Sequence, residues 1–151
     1  MGKTSDTKGK AFEFILCETL CKRLKLYGYT VNLTQDFTEC QKTDSFKFAS
    51  LLPQEIKYFT SQSELTSDWF IHLLSSLHTK NVTLNRLPDS KGTKGNPTDI
   101  EIITSLKQIN ISAKHNNFSI KHQRLPSLFQ QLGMSKKVPE DKIYRNNLKR
   151  I

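Results

Sequence analysis

The chain has 151 residues and a formal charge of +9, from 23 Lys and Arg against 14 Asp and Glu. That length holds one domain of the usual ~100–150 residues. A hydrophobic share of 36 % is low for a globular chain, but plentiful Phe, Leu and Ile argue against wholesale disorder and leave a thin core or a missing portion of the fold. No apolar run approaches the ~18 residues of a membrane span, and the opening MGKTSDTKGK lacks the apolar stretch of a secretory signal, so a cytoplasmic protein with no membrane partner is expected.

Residues 9–27 carry Phe12, Ile15, Leu16, Leu20 and Leu24 at three- and four-residue steps, with Lys22, Arg23 and Lys25 on other sides. This predicts an amphipathic helix, with Gly28 as its stop. Cys17 and Cys21 lie one turn apart on it and read as small buried hydrophobes. With Cys40 they make an odd, sparse set without the spacing of a zinc site. Val31 and Leu33 predict a short extended segment. A second helix is expected over 36–52, with Asp36 as its N-cap and Pro53 as punctuation. A third is expected over 63–79, where Leu65, Trp69, Leu73 and Leu77 form a stripe toward the core beside Ile71 and Leu74. His72 and His78 on that pattern read as partly buried spacers.

Residues 88–97, PDSKGTKGNP, have the composition of a mobile loop. The period then changes from helical to alternating. Asp99-Ile100-Glu101-Ile102 and Asn110-Ile111-Ser112-Ala113-Lys114, joined by the polar turn 104–107, predict an antiparallel hairpin. Pleating puts Ile100, Ile102, Ile109, Ile111 and Ala113 toward the core, and Asp99, Glu101, Asn110, Ser112 and Lys114 on the other face. Pro126 and Gly133 bound a short predicted helix over 126–132, and 135–151 reads as exposed or helical near its end.

The charge is uneven. Residues 1–113 hold 14 basic and 12 acidic side chains, whereas 114–151 hold nine basic and two acidic, a net of +7. A concentrated positive segment favours a polyanion such as DNA, because phosphate contacts release counterions. The hairpin's polar face, just before it, gathers two carboxylates and a lysine. Such carboxylates suit Mg²⁺ as oxygen ligands, and the lysine suits charge building on a phosphate.

The order Asn96-Pro97-Thr98-Asp99, a hairpin, then Ser112-Ala113-Lys114 resembles the PD-(D/E)XK nuclease motif. The longer run from Ser112 to Pro126, SAKHNNFSIKHQRLP, resembles the signature stretch of HaeIII-type restriction endonucleases, and Gly9-Lys10-Ala11-Phe12-Glu13 resembles the superfamily's opening helix. The likeness covers the beginning of the chain and residues 96–133. It implies an α/β (α+β) restriction-endonuclease-like core, with a central mixed sheet and a β-hairpin flanked by helices. It also implies Mg²⁺-dependent cleavage of double-stranded DNA at a short GC-rich, GGCC-like site.

Carried onto this chain, the resemblance makes Asp99 the metal-binding acid, the Ala113 carbonyl a further ligand, and Lys114 the catalytic lysine with His115 beside it. Where the motif has a second acid this chain has Ser112, so Glu101 on the same face, or Glu13 from the first helix, would supply it. Asn116, Asn117, Lys121, His122, Gln123 and Arg124 would contact DNA. The relatives implied are longer, so the chain would be the N-terminal portion of such an enzyme, working as a homodimer or with a complementing subunit. The alternative is a DNA-binding fragment that is inactive or depends on a partner. A helical structural protein with a basic tail leaves the signature unexplained. An HNH nuclease is disfavoured because His122 precedes the Pro126 helix.

Overall fold

The computed structural model describes residues 2–88 and 97–113, a mixed α+β arrangement of three helices and four strands. The helix α1 (Gly2–Leu26) starts seven residues earlier than predicted. It ends as expected, with Gly28 at φ 78° and the Tyr29 amide donating back to the Leu24 carbonyl at 3.0 Å. A left-handed residue closing the last carbonyls is the usual glycine helix stop. Strand β1 (Thr30–Leu33) follows.

The second helix, α2 (Gln35–Ala49), is capped by Thr34 rather than Asp36. The Thr34 hydroxyl accepts from the Phe37 amide at 3.1 Å, and Asp36 lies in the first turn, where its charge suits the helix dipole.

The third helix, α3 (Pro53–Ser75), begins ten residues before the predicted start and ends four before the predicted stop. Pro53 fills its first position, where no backbone donor is needed, and the Glu55 carboxylate accepts the Leu52 amide at 3.1 Å. Its buried face also differs from the expected stripe. Phe59, Ser63, Ser67, Phe70, Ile71 and Leu74 are buried, whereas Leu65 and Trp69 are 64 % and 59 % exposed. Two fully buried serines mark that face, and small side chains let α3 lie close against α1. Leu73 and Leu77 are half-buried against the core. His72 and His78 are both exposed, and His78 sits in a turn at φ 51°.

Strand β2 (Asn81–Arg86) did not emerge from the sequence, yet it is an inner strand of the sheet. It runs parallel to β1, with Val31 opposite Val82, and antiparallel to β3 (Ile100–Ile103). The predicted hairpin is present: β3 pairs with β4 (Gln108–Ile111) in the register Ile100↔Ile111 and Ile102↔Ile109. The Thr104 hydroxyl closes its turn, accepting the Lys107 amide at 2.9 Å.

Alternate strand positions point to the helices. Val82, Leu84, Ile100 and Ile102 join Leu16, Leu20, Leu24, Phe37, Phe70 and Leu74 in one buried cluster. Ile109 and Ile111 pack against it, and Ala113 belongs to it, so the expected inward set is the observed one. Cys17 and Cys21 are buried free thiols, and burial pushes the Cys17 thiol far above its ordinary value. The expected loop 88–97, apart from Pro88 and Pro97, the helix over 126–132 and the stretch 135–151 lie outside the described residues.

Leu84 is fully buried at the centre of the cluster. Leu84→Ala is therefore expected to lower stability by about 2–5 kcal/mol, and Leu65→Ala on the exposed side of α3 by no more than about 0.5 kcal/mol. Urea unfolding midpoints of the two variants check both expectations.

Candidate active site

Asp99 enters β3 where three segments meet. Its carbonyl accepts the Leu87 amide at 2.9 Å, and its amide donates to the Ile111 carbonyl at 2.8 Å. Its carboxylate Oδ2 accepts the Ala113 amide at 2.8 Å and the Ser112 hydroxyl at 3.3 Å. The Pro97-Thr98-Asp99 and Ser112-Ala113 pieces, 13 residues apart in sequence from Asp99 to Ser112, thus meet at the open end of the hairpin. A hydrogen bond to an ionised acceptor is about twice as strong as a neutral one, so Asp99 holds the chain's exit from β4 in place.

Glu101 lies two residues further along β3, on the same face. Its Oε2 accepts the Asn85 side-chain amide at 2.7 Å, and its Oε1 accepts from Gln108 at 3.3 Å. The Asn85 oxygen in turn accepts the Thr34 hydroxyl at 2.6 Å, and Gln108 donates to Asn110 at 2.9 Å. The face turned away from the helices therefore carries a run of amides and hydroxyls around one carboxylate.

Glu13 is placed elsewhere. It is buried, and its Oε2 accepts from Arg86 at 3.2 Å and from Lys10 at 2.9 Å. Arg86 also donates to Asp44 at 2.5 Å and to Gln41 at 2.8 Å, and is only 1 % exposed. Asp44 is paired with Lys47 as well, at 2.8 Å, and Gln41 bonds Glu18 at 2.8 Å. Burial opposes the guanidinium's charge, but the acidic groups around it, Glu13 and Asp44 among them, outweigh that and hold its pKa above the ordinary value.

Asn85 and Arg86 are neighbours on one strand and so point to opposite faces. Glu101 bonds the first and Glu13 the second, so these two acids lie on opposite sides of the sheet. Glu13 is a structural ion-pair partner here, which corrects its expected place beside Asp99 and Glu101.

Among the described residues, no three His, Cys, Asp or Glu side chains converge as a metal-holding group. Asp99 and Glu101 do offer two hard oxygen donors on one face. That chemistry fits Mg²⁺, which keeps several waters and is bound through one or two carboxylates. Beside Ser112 and Ala113 opens a cleft of about 370 Å³, walled by Tyr58, Gln62, Trp69 and Phe70. It has the size of a small-molecule site (~300–1,000 Å³).

Lys114, His115, Asn116, Asn117, Lys121, His122, Gln123 and Arg124 lie outside the described residues. Arg86, Asp44, Asn85 and Thr34 were not anticipated. The signal available for the first was the alternation Val82, Leu84, Arg86, which places a cation where an apolar residue is the rule. No helix among the described residues is long and apolar enough to cross a membrane. No protein-family model, no curated protein and no solved structure matches the chain.

The Asp99 contacts separate its structural role from any chemical one. Asp99→Ala leaves the buried Ala113 amide without its acceptor, and a loss of about 1–3 kcal/mol is expected. Asp99→Asn keeps an acceptor oxygen and is expected to lose less than half as much. Paired urea titrations read the difference.

Proposed function

We propose that this chain is a Mg²⁺-dependent restriction endonuclease of the HaeIII type, or the N-terminal portion of one, cleaving double-stranded DNA at a short GC-rich, GGCC-like site. The observation that carries the reading is the closure of the Asp99 carboxylate onto Ser112 and Ala113. It brings the two halves of the PD-(D/E)XK-like pattern together at one end of a hairpin, and Lys114 is the next residue in the chain. A mixed sheet backed by helices is compatible with a restriction-endonuclease-like core. The +7 surplus of residues 114–151 supplies charge suited to a duplex.

In this reading Asp99 and Glu101, with the Ala113 carbonyl, hold the cation. Bound there, Mg²⁺ supplies activation of water and relief of the charge that builds on the phosphate. Lys114 and His115 would act on the scissile phosphate, where a cationic side chain lowers the energy of the charged transition state. Asn116, Asn117, Lys121, His122, Gln123 and Arg124 grip phosphates or base edges, Arg being suited to both. Glu13 is left out of the chemistry, because its carboxylate is committed to Arg86 and Lys10.

One observation favours a second reading, a DNA-binding fragment that cleaves only with a second copy or a complementing subunit. Ser112 stands where the PD-(D/E)XK pattern has its second acid, and a serine hydroxyl is a poorer Mg²⁺ ligand than a carboxylate.

Plasmid incubated with the purified chain is expected to give discrete fragments in Mg²⁺ and none in EDTA. Asp99→Asn or Lys114→Ala is expected to lower the rate at least about 100-fold, the scale of a removed transition-state stabiliser. Intact plasmid with salt-sensitive duplex binding would select the second reading. Absence of salt-sensitive binding would contradict both.

A further inference from the structure

We infer that Asn85 is a positioning residue that sets the Glu101 carboxylate for cation binding, and that Thr34 fixes Asn85 for that purpose. The inference rests on the reading of Asp99 and Glu101 as cation ligands and extends it to two residues outside the motif.

The hydrogen-bond directions leave one consistent arrangement. The Thr34 hydroxyl accepts the Phe37 amide at the start of α2, so its own proton goes elsewhere, and it donates to Asn85 Oδ1 at 2.6 Å. With its oxygen so engaged, the Asn85 amide turns its NH₂ toward Glu101, donating to Oε2 at 2.7 Å. The chain of bonds thus runs from a helix N-cap through an inner strand to the carboxylate, and each link has its donor and acceptor fixed. Thr34 follows β1, Asn85 lies on β2 and Glu101 on β3, so three parts of the sheet converge on one side chain.

Two features suit this relay to a ligand acid. First, Asn85 is neutral. It orients the carboxylate while leaving its full negative charge for a cation, whereas a Lys or Arg at that place would neutralise it. Second, each carboxylate oxygen has about two lone-pair sites, so Oε2 and Oε1 keep acceptor capacity after their bonds to Asn85 and Gln108. Outer partners of this kind typically change metal affinity by about 10–100-fold when removed. An Asn–Glu pair that served the sheet alone would change stability and leave cation affinity untouched.

Calorimetric titration of the whole chain with Mn²⁺ alone, a cation of similar oxygen preference, separates these cases. Wild type is expected to bind, and Glu101→Ala to bind much more weakly. Asn85→Leu and Asn85→Ser are both expected to weaken binding by at least about tenfold, with thermal unfolding recorded to confirm that each is folded. Thr34→Ser, which keeps the hydroxyl, should bind like wild type, and Thr34→Val should follow the Asn85 variants. If folded Asn85→Leu and Asn85→Ser bind Mn²⁺ as wild type does while Glu101→Ala does not, the positioning role is overturned and the ligand role of Glu101 stands. If wild type takes up no Mn²⁺, or Glu101→Ala binds unchanged, the underlying reading falls and the inference falls with it.

Discussion

A guanidinium buried to 1 % exposure cannot stand without partners, and the arrangement of the other elements follows from supplying them. Arg86 sits at the end of β2, on the face where Val82 and Leu84 are also buried. Glu13 from α1 and Asp44 and Gln41 from α2 come to it. Lys10 shares the Glu13 oxygen that Arg86 binds, and Lys47 pairs with the other oxygen of Asp44. Removing one member of such a cluster leaves an uncompensated buried charge, at a cost of about 3–5 kcal/mol. The cluster fixes which turn of α1 lies against which turn of α2, a specificity that apolar contacts alone supply poorly.

The same strand separates the buried ion-pair cluster from the face of the proposed chemistry. Along β2, Arg86 and the apolar residues serve the helical face, while Thr83 and Asn85 serve the other. β3 continues the division, with Ile100 and Ile102 inward and Glu101 outward, and the pairing of Asn85 with Glu101 carries it across the ladder. The carboxylates of the proposed chemistry therefore lie on a face whose loss of charge leaves the core intact. Glu13 is on the structural side of that division.

The hairpin was legible in the sequence down to which side chains face inward, because Ile100, Ile102, Ile109 and Ile111 alternate with polar residues and a one-residue slip would reverse every one of them. The buried cysteines and the Gly28 stop were legible for equally local reasons. Strand β2 was not, since a charged residue occupies its last inward position and only the carboxylates of two distant helices make that tolerable. Pro53 read as a break, though the first turn of a helix accepts proline. The buried face of α3 was misjudged because Ser63 and Ser67 are polar by composition but small, and close helix packing selects them over Leu65 and Trp69. Of the site, Asp99, Ser112 and Ala113 were brought together as expected. Glu13 and the Thr34–Asn85 relay depend on contacts across 73 and 51 residues, which no local pattern encodes.

The central claim is that Glu13 belongs to the Arg86 cluster and not to the chemistry proposed for the opposite face. A double-mutant cycle in urea unfolding, with Glu13→Gln, Arg86→Met and the two combined, tests it most directly. The account predicts that the double variant is about 1–3 kcal/mol more stable than the sum of the single losses implies, since each single change strands the other's partner. Strictly additive losses would mean that Glu13 is not held by Arg86 and would return it to the list of acids open to a cation.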